Sequence, residues 1–330
     1  MLKYHPFEMH CHTRHSDGTF LVPQLIESVA AYGYAGLALT DHNAVTGLLE
    51  VTEELQRKNN CLVLPGIEWT TFYGHLLVIG CDHFVDWRFV TPDTIDDALR
   101  EIRAAGGIAG AAHPCEVGSP LMCGCNWEFK VKRWDLMDYV EIWSEADPHT
   151  RAKNGLALPW YDAILDQGCH LAISAGRDWH GPDKPGQIPL LTATYLGIDG
   201  DVTIENAKAA IRAGRTYVTV GPTVDAALKQ GERIYGLGQT AHPGPASVSV
   251  RIGTEERGVW AHNEITPKSI RLVHNGRLLA EQPCAGEPVD FSVDMAPGWL
   301  RVEVYGTVFG RPADSIALTS PIYIADLREE

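Results

Sequence analysis

Histidines and carboxylates recur along the first 180 residues at spacings that suit metal binding. His10-Cys11-His12 and Asp178-Trp179-His180 are both i, i+2 pairs. In an extended chain such residues point the same way, so each pair aims two donors at one side. Between them stand Asp17 in Ser16-Asp17-Gly18, His42 in Thr40-Asp41-His42, Glu68 in Gly66-Ile67-Glu68, His113 before Pro114, and Glu141. Mixed imidazole and carboxylate donors suit Zn, Mn or Fe. They are too many for one ion, so two or three divalent ions are implied. A lone His113-Pro114 would pass for a strand-end turn, and a lone Glu141 for a terminal charge. Repetition argues otherwise, because buried charges are costly unless paired or metal-bound. Eleven of the 14 histidines lie at or before His180, which places any such chemistry in that part of the chain. His5, His15, His83, His149 and His170 are assigned to structure or surface.

The donors fall at the ends of short apolar runs. Expected strands are Phe7–His12, Ala35–Asp41, Cys61–Glu68, Ile108–His113, Tyr139–Trp143, Leu171–Ala175 and Thr192–Leu196, with a further arm at Leu76–Cys81. Expected helices are Pro23–Tyr32, Ala44–Lys58, Thr91–Ala105, Arg151–Gln167 and Thr203–Ala213. Pro23 suits a first helical turn, and Gly33, Gly106, Gly168 and Gly214 stand where helices should stop. Alternating strands and helices argue for βαβ units on a parallel sheet. About seven such units suggest a closed barrel, and in a parallel barrel all strand C-termini share one active-site face. After Gly221-Pro222 helical periodicity gives way to short alternating runs: Ser247–Ile252, Ser269–His274, Val289–Val293, Trp299–Tyr305 and Pro321–Ile324. The Asn275-Gly276 pair signals a hairpin. The expected organisation is an α/β barrel over residues 1–221 and a small β-sandwich over 222–330.

Composition narrows the function. The chain has 330 residues, 45% hydrophobic and 21% charged, with a net charge of −15. That balance disfavours non-specific binding to nucleic acid or anionic membranes, yet allows a small anionic substrate where metals reverse the field in one cleft. No run of 18 apolar residues and no basic-then-apolar leader is evident. The eight cysteines are scattered, with only Cys123-Gly124-Cys125 close-paired. A cytoplasmic protein with reduced thiols is the expectation.

His10-x-His12-Thr13-x-x-Ser16-Asp17-Gly18, Thr40-Asp41-His42-Asn43, Gly66-Ile67-Glu68, His113-Pro114 and Asp178-x-His180 together resemble the PHP (polymerase and histidinol phosphatase) family. The resemblance implies a distorted seven-stranded β/α barrel with a two- or three-metal site. Gly74-His75, Glu141-Ile142-Trp143, Trp160 ahead of Leu165-Asp166-Gln167-Gly168, Ile211-to-Tyr217 with Gly221-Pro222, Arg271-to-Gly276 and Ala317-to-Tyr323 resemble its CehA/McbA branch. Carried over by position, the resemblance puts one metal on His10, His12, Glu68 and Asp178. A second falls on Asp17, His42 and His180. Glu68 would bridge to a third ion with His113 and His75. The family's usual Gly-Ser-Asp-x-His is Gly176-Arg177-Asp178-Trp179-His180 here, which sets a cation and an indole beside the metals.

Clustered divalent ions make hydroxide near neutral pH and clamp the oxygens of the group under attack. The expected activity is ester hydrolysis on a small molecule, phosphate esters first. Glu68 would be central to catalysis. Arg14 and Arg177 would hold phosphoryl oxygens, since guanidinium forks suit them; for Arg14 a surface ion pair is the alternative. Carboxyl or carbamate esters are the runner-up, with Trp69, Trp143 and Trp179 as walls of an apolar pocket or as ordinary core. A metal-bound module without turnover is a third reading. The C-terminal unit could cover the barrel mouth or mediate oligomerisation.

Overall fold

A computed structural model describes residues 2–118, 124–184, 186, 188–254, 258–284 and 286–326. Cys123 of the close cysteine pair lies outside the described residues. The first strands and helices run β1 (Leu2–Cys11), α1 (Val22–Ala31), β2 (Gly36–Leu39), α2 (Glu53–Asn59), β3 (Leu62–Thr71), β4 (Gly74–Ile79), α3 (Ile95–Ala104), β5 (Ile108–Ala112), β6 (Tyr139–Ser144), α4 (Ala152–Leu165), β7 (Ala172–Gly176), β8 (Ala193–Asp199), α5 (Ile204–Arg212) and β9 (Thr216–Thr219). The fold is mixed α/β, rich in sheet and sparing in helix.

The helices follow their apolar spacing. On α3, Ile95, Ala98, Leu99 and Ile102 are buried at i, i+3, i+4 and i+7, the stripe of a helix laid on a sheet. Gly33, Gly106, Gly168 and Gly214 all have positive φ after their helices. The helix expected over Ala44–Lys58 is broken. A 3-10 turn covers Thr46–Glu50, Val51-Thr52 is extended, and Thr52 restarts the helix by accepting the Leu55 N–H on its side chain. A threonine hydroxyl that caps a new helix competes with continuing the old one.

The barrel strands run in the order β8-β1-β2-β3-β4-β5-β6-β7. Neighbours β1–β2, β2–β3, β5–β6 and β6–β7 are parallel, whereas β4 is antiparallel to both β3 and β5. The arm expected at Leu76–Cys81 is therefore a full member of the sheet. The expected seventh strand departs from the parallel scheme, because β8 pairs antiparallel with β1. A parallel return needs a crossover, usually a helix. The described residues between β7 and β8 contain none.

Beside β1, the free edge of β7 is closed mainly by side chains. Leu171 donates its N–H to the Tyr323 hydroxyl, Ile173 to Ser320 Oγ, and Ala175 to Thr194 Oγ1, while Thr216 Oγ1 donates to the Ile173 carbonyl. Only beyond the end of β7 does backbone pairing with β1 appear, where His12 N–H donates to Trp179 O and Trp179 N–H to His10 O, both at 3.0 Å.

After Gly221 the described residues hold strands and one 3-10 turn. These strands are β10 (Thr223–Gln230), β11 (Arg233–Tyr235), β12 (Thr240–Ala241), β13 (Gly244–Gly253), β14 (Ile265–His274), β15 (Arg277–Pro283), β16 (Val289–Met295), β17 (Gly298–Val308), β18 (Arg311–Thr319) and β19 (Ile322–Ile324). A four-stranded sheet, β11-β10-β13-β16, stands apart from the rest. The other strands continue the barrel sheet through β9–β18 pairing. Asn275 and Gly276 both have positive φ at the β14–β15 turn, as a two-residue hairpin turn requires. Arg301 on β17 is buried between Asp162 of α4 and Glu303, which fastens these strands to the barrel. No helix among the described residues is long and apolar enough to cross a membrane.

Candidate metal centre

The parallel strands point their C-termini at one rim, and the donor residues meet there around Glu68. This side chain lies on the C-terminal half of β3 and is fully buried. Its Oε2 lies 2.7 Å from His42 Nδ1, 3.3 Å from His10 Nε2 and 3.5 Å from His12 Nε2. Its Oε1 lies 2.9 Å from His75 Nδ1 and 3.2 Å from His113 Nε2. Asp178 Oδ1 closes the other side, 2.9 Å from His12 Nε2 and 3.4 Å from His10 Nε2. Further out, Asp17 Oδ1 stands 3.2 Å from His180 Nε2 and 3.5 Å from His42 Nε2.

Three groups have ligand atoms within 4.8 Å of one another: His10, His12, Glu68 and Asp178; His12, Asp17, His42 and His180; and His42, Glu68 and His75. The first two bring together the donor sets that the family resemblance implies for two ions, with His12 added to the second. The third differs from expectation in including His42, while His113 approaches the same Glu68 oxygen as His75.

The donors are built for cations rather than for one another. His10 Nε2, His12 Nε2, Glu68 Oε2 and Asp178 Oδ1 are buried and have no hydrogen-bond partner among the described residues, despite their mutual distances of 2.9–3.5 Å. Metal–ligand bonds of about 2.1 Å put neighbouring ligand atoms about 3.0–3.4 Å apart in octahedral or tetrahedral shells. Orphaned atoms at that spacing fit divalent ions. Burial works to strip the proton from His10, but the carboxylates of Asp178, Glu68 and Glu141 outweigh it and hold the imidazole well above its ordinary range. For His12 burial wins, and its pKa falls. Glu68 and Asp178 are held well below the usual carboxylate range against the pull of burial, by His10, His113 and His42 and by His10 and His12 respectively.

Outer residues hold these donors in place. Asp41 accepts the Thr13 N–H and Thr13 hydroxyl at 2.7 Å each, and the Ser16 hydroxyl at 2.7 Å. This braces the turn that carries Asp17. Asn43, at φ 51°, bonds the backbone of Thr70 in both directions and sets His42 beside Glu68. Glu141 was visible in the sequence as a strand carboxylate, but not its role. Its Oε1 sits 3.0 Å from His10 Nδ1, and its Oε2 accepts the His113 N–H at 3.0 Å.

Arg177 does not present a free guanidinium to this cluster, contrary to the expectation from sequence. It is buried, donates to both Asp183 oxygens, and lies 3.9 Å over the Trp179 ring. Asp178 turns inward at φ 48°, and Arg177 beside it leaves in another direction. Arg14 is exposed on the turn between His12 and Asp17. Trp143 packs against His149, and Trp179 lies under Arg177. Trp69 lines a pocket of about 190 Å³ with Val45, Leu48 and Phe84. His15 is tied to Glu50 and Thr46, and His170 stacks on Tyr323, as structural histidines.

The histidine–carboxylate cluster lies at the C-terminal ends of a part-parallel set of strands, and residues 8–97 match the PHP domain family. That stretch holds His10, His12, Asp17, His42, Glu68 and His75; the fold brings His113, Asp178 and His180 to them. The whole chain is similar to a two-domain protein from Bacteroides vulgatus containing a predicted PHP-like metal-dependent phosphoesterase. The TM-score is 0.53 at 14% identity, covering 97% of this chain and 96% of that one. A candidate metal-dependent phosphoesterase from Bifidobacterium adolescentis is 20% identical with TM-score 0.41, over 55% of this chain and 90% of its own. An amidohydrolase from Chromobacterium violaceum is 18% identical with TM-score 0.37, over 53% and 88%. No curated protein matches the chain.

Proposed function

We propose that the protein is a metal-dependent hydrolase acting on small-molecule phosphate esters through two or three divalent ions. The observation that carries this reading is the buried, unpartnered donor set around Glu68. His10, His12, Glu68 and Asp178 would hold one ion, and Asp17, His42 and His180 a second. His75 and His113 would hold a third through Glu68. Bound ions of this kind supply hydroxide at neutral pH and polarise the ester.

The chain's own geometry sets the approach. His10, His12 and Glu68 are sealed, whereas the Asp17 side chain is 62% exposed and that of His180 37%. Substrate therefore enters over Asp17 and His180, beside Arg14. An arginine fork there would bind non-bridging oxygens and strengthen its hold as charge develops. With Arg177 committed to Asp183, carbamate or carboxyl esters stand as a second reading, because Arg14 is left to act without it.

The placement in the CehA/McbA branch and the division into a barrel over 1–221 and a β-sandwich over 222–330 belong to the same proposal. The strands and one 3-10 turn that make up the described residues after Gly221 support that division. A cytoplasmic setting, no nucleic-acid or membrane partner, and self-association through the C-terminal strands are also part of the proposal. The deciding experiment is a panel of phosphomonoesters, phosphodiesters and aryl carbamates on Mn-, Fe- and Zn-loaded protein. Turnover of aryl carbamates alone would replace phosphate with the second reading. Bound metal with no turnover of any ester would leave a non-catalytic module.

A further inference from the structure

The side-chain closure of β7 has a last rung that touches the metal centre. Going up the free edge of β7, the rungs are Tyr323, Ser320, Thr216 and Thr194, and then Glu8. Glu8 Oε1 accepts the Arg177 N–H at 2.8 Å and the His10 N–H at 3.1 Å. One step higher the backbone ladder takes over at Cys11 and Trp179. Continued downward by two residues, a parallel ladder would join His10 N–H to the Arg177 carbonyl and Arg177 N–H to the Glu8 carbonyl. The Glu8 carboxylate takes both donors instead.

The strands are tight at this level. A Cβ on Gly176 would lie 2.4 Å from His10 Cβ and 2.7 Å from Glu141 Oε1, so only glycine fits on β7 there. His10 and Asp178 stand on the two sides of the seam and share one group of donor atoms.

We infer that Glu8 is a positioning residue, whose single acceptor oxygen replaces two rungs of the barrel seam and fixes the distance between His10 and Asp178. The inference rests on the proposed metal centre but not on the ester hydrolysed. It is the oxygen's acceptor capacity that matters. Glu8 is buried, and its other oxygen has no hydrogen-bond partner among the described residues. Without Oε1, two backbone N–H groups would be left buried and unpaired, and the seam would relax.

The test uses the full chain and reads metal directly. Zn, Mn and Fe are titrated against a chelator into wild type, Glu8→Gln, Glu8→Ala and Thr194→Val, with hydrogen exchange followed in the peptides carrying His10 and Arg177. Glu8→Gln keeps the acceptor oxygen and should rescue, binding the tightest ion within about threefold of wild type. Glu8→Ala should bind it at least tenfold more weakly, the scale of a lost outer-shell partner, with faster exchange in both peptides. Thr194→Val removes a lower rung and should lower thermal stability while leaving metal affinity unchanged. If Glu8→Ala fails to fold, Glu8→Gln still decides. Loss of metal in Glu8→Gln, or retained affinity in Glu8→Ala, would overturn the inference. A wild-type protein that binds no metal would instead overturn the metal centre itself.

Discussion

Replacing Glu141 with glutamine tests whether the histidine tautomers at the centre are set from outside. The change is nearly isosteric, so the cavity persists and only the donor–acceptor pattern changes. In wild type one carboxylate oxygen faces His10 Nδ1 and the other accepts the His113 N–H. Both neighbours can act as donors to it, which leaves His10 Nε2 free to bind an ion. An amide cannot serve both sides. With its oxygen toward His113, its NH2 meets His10 Nδ1 and forces that nitrogen to accept, so the proton moves to Nε2, the ligand atom. With its oxygen toward His10, the NH2 faces the His113 N–H, donor against donor. Either way one charge-assisted bond is lost in a buried site, worth about 1.5–3 kcal/mol. That converts to about ten- to hundred-fold in metal affinity, the range found for outer partners of metal-bound histidines. The assay is competition with a chelator of known affinity, backed by elemental analysis. The contrast with Glu8→Gln sharpens it: the same substitution should be tolerated where one oxygen does all the accepting. Wild-type affinity in Glu141→Gln would refute the tautomer argument.

Other outcomes follow from the same geometry. Glu68→Gln removes the carboxylate shared by the groups of donors, and should lower bound metal below two equivalents and abolish turnover, read by elemental analysis and ester assay; full occupancy with activity would sink the bridging assignment. Arg14→Ala should lower kcat/KM for phosphoesters at least about tenfold, near the low end for a lost transition-state donor, with metal content intact, whereas carbamate turnover should tolerate it. Arg177→Ala should act on stability instead. Breaking a buried pair costs about 3–5 kcal/mol, and the low end applies because Asp183 keeps some solvent and the Tyr32 hydroxyl. The drop in Tm should be about 5 °C or more. An unchanged Tm with a selective loss of phosphoester turnover would return Arg177 to the substrate.

Much of the donor cluster was legible because its histidines and carboxylates sit in short motifs with strand geometry. Two i, i+2 pairs and a carboxylate at a strand end need only local conformation to face one way. What could not be read depends on tertiary placement. Arg177 and Asp178 are neighbours in sequence, and nothing local says that Asp178 takes positive φ and sends its neighbour elsewhere. The third group gathers His42 because Asn43 ties its turn to Thr70, a bond between residues far apart in the chain. Glu8 and Glu141 read as ordinary strand acids until the strands beside them are known. The antiparallel β8 was missed because strand-forming residues do not encode direction; the missing crossover helix does. Strands β15 and β18 escaped notice because β15 is largely exposed and the apolar run of β18 begins only at its sixth residue, Ile316, so neither alternates.

The seam gives these failures a common cause. A barrel closed by a backbone ladder would advertise its closing strands as alternating apolar runs, since any side chain of the right size would serve. Here closure is done by Tyr323, Ser320, Thr216, Thr194 and Glu8, residues far apart in the chain, and each looks like an ordinary polar residue in its own segment. The chemistry of the rim thereby depends on the C-terminal strands. Tyr323 and Ser320 hold the lower edge of β7, Glu8 holds its upper edge, and Asp178 is reached only two residues beyond Gly176. A shift of β7 along that edge would move Asp178 relative to His10 and His12, and the donor spacing that suits a cation would be lost. Glu8, the rung nearest the rim, is therefore the seam residue that bears on the centre, while Thr194 and the rungs below it hold the body of β7.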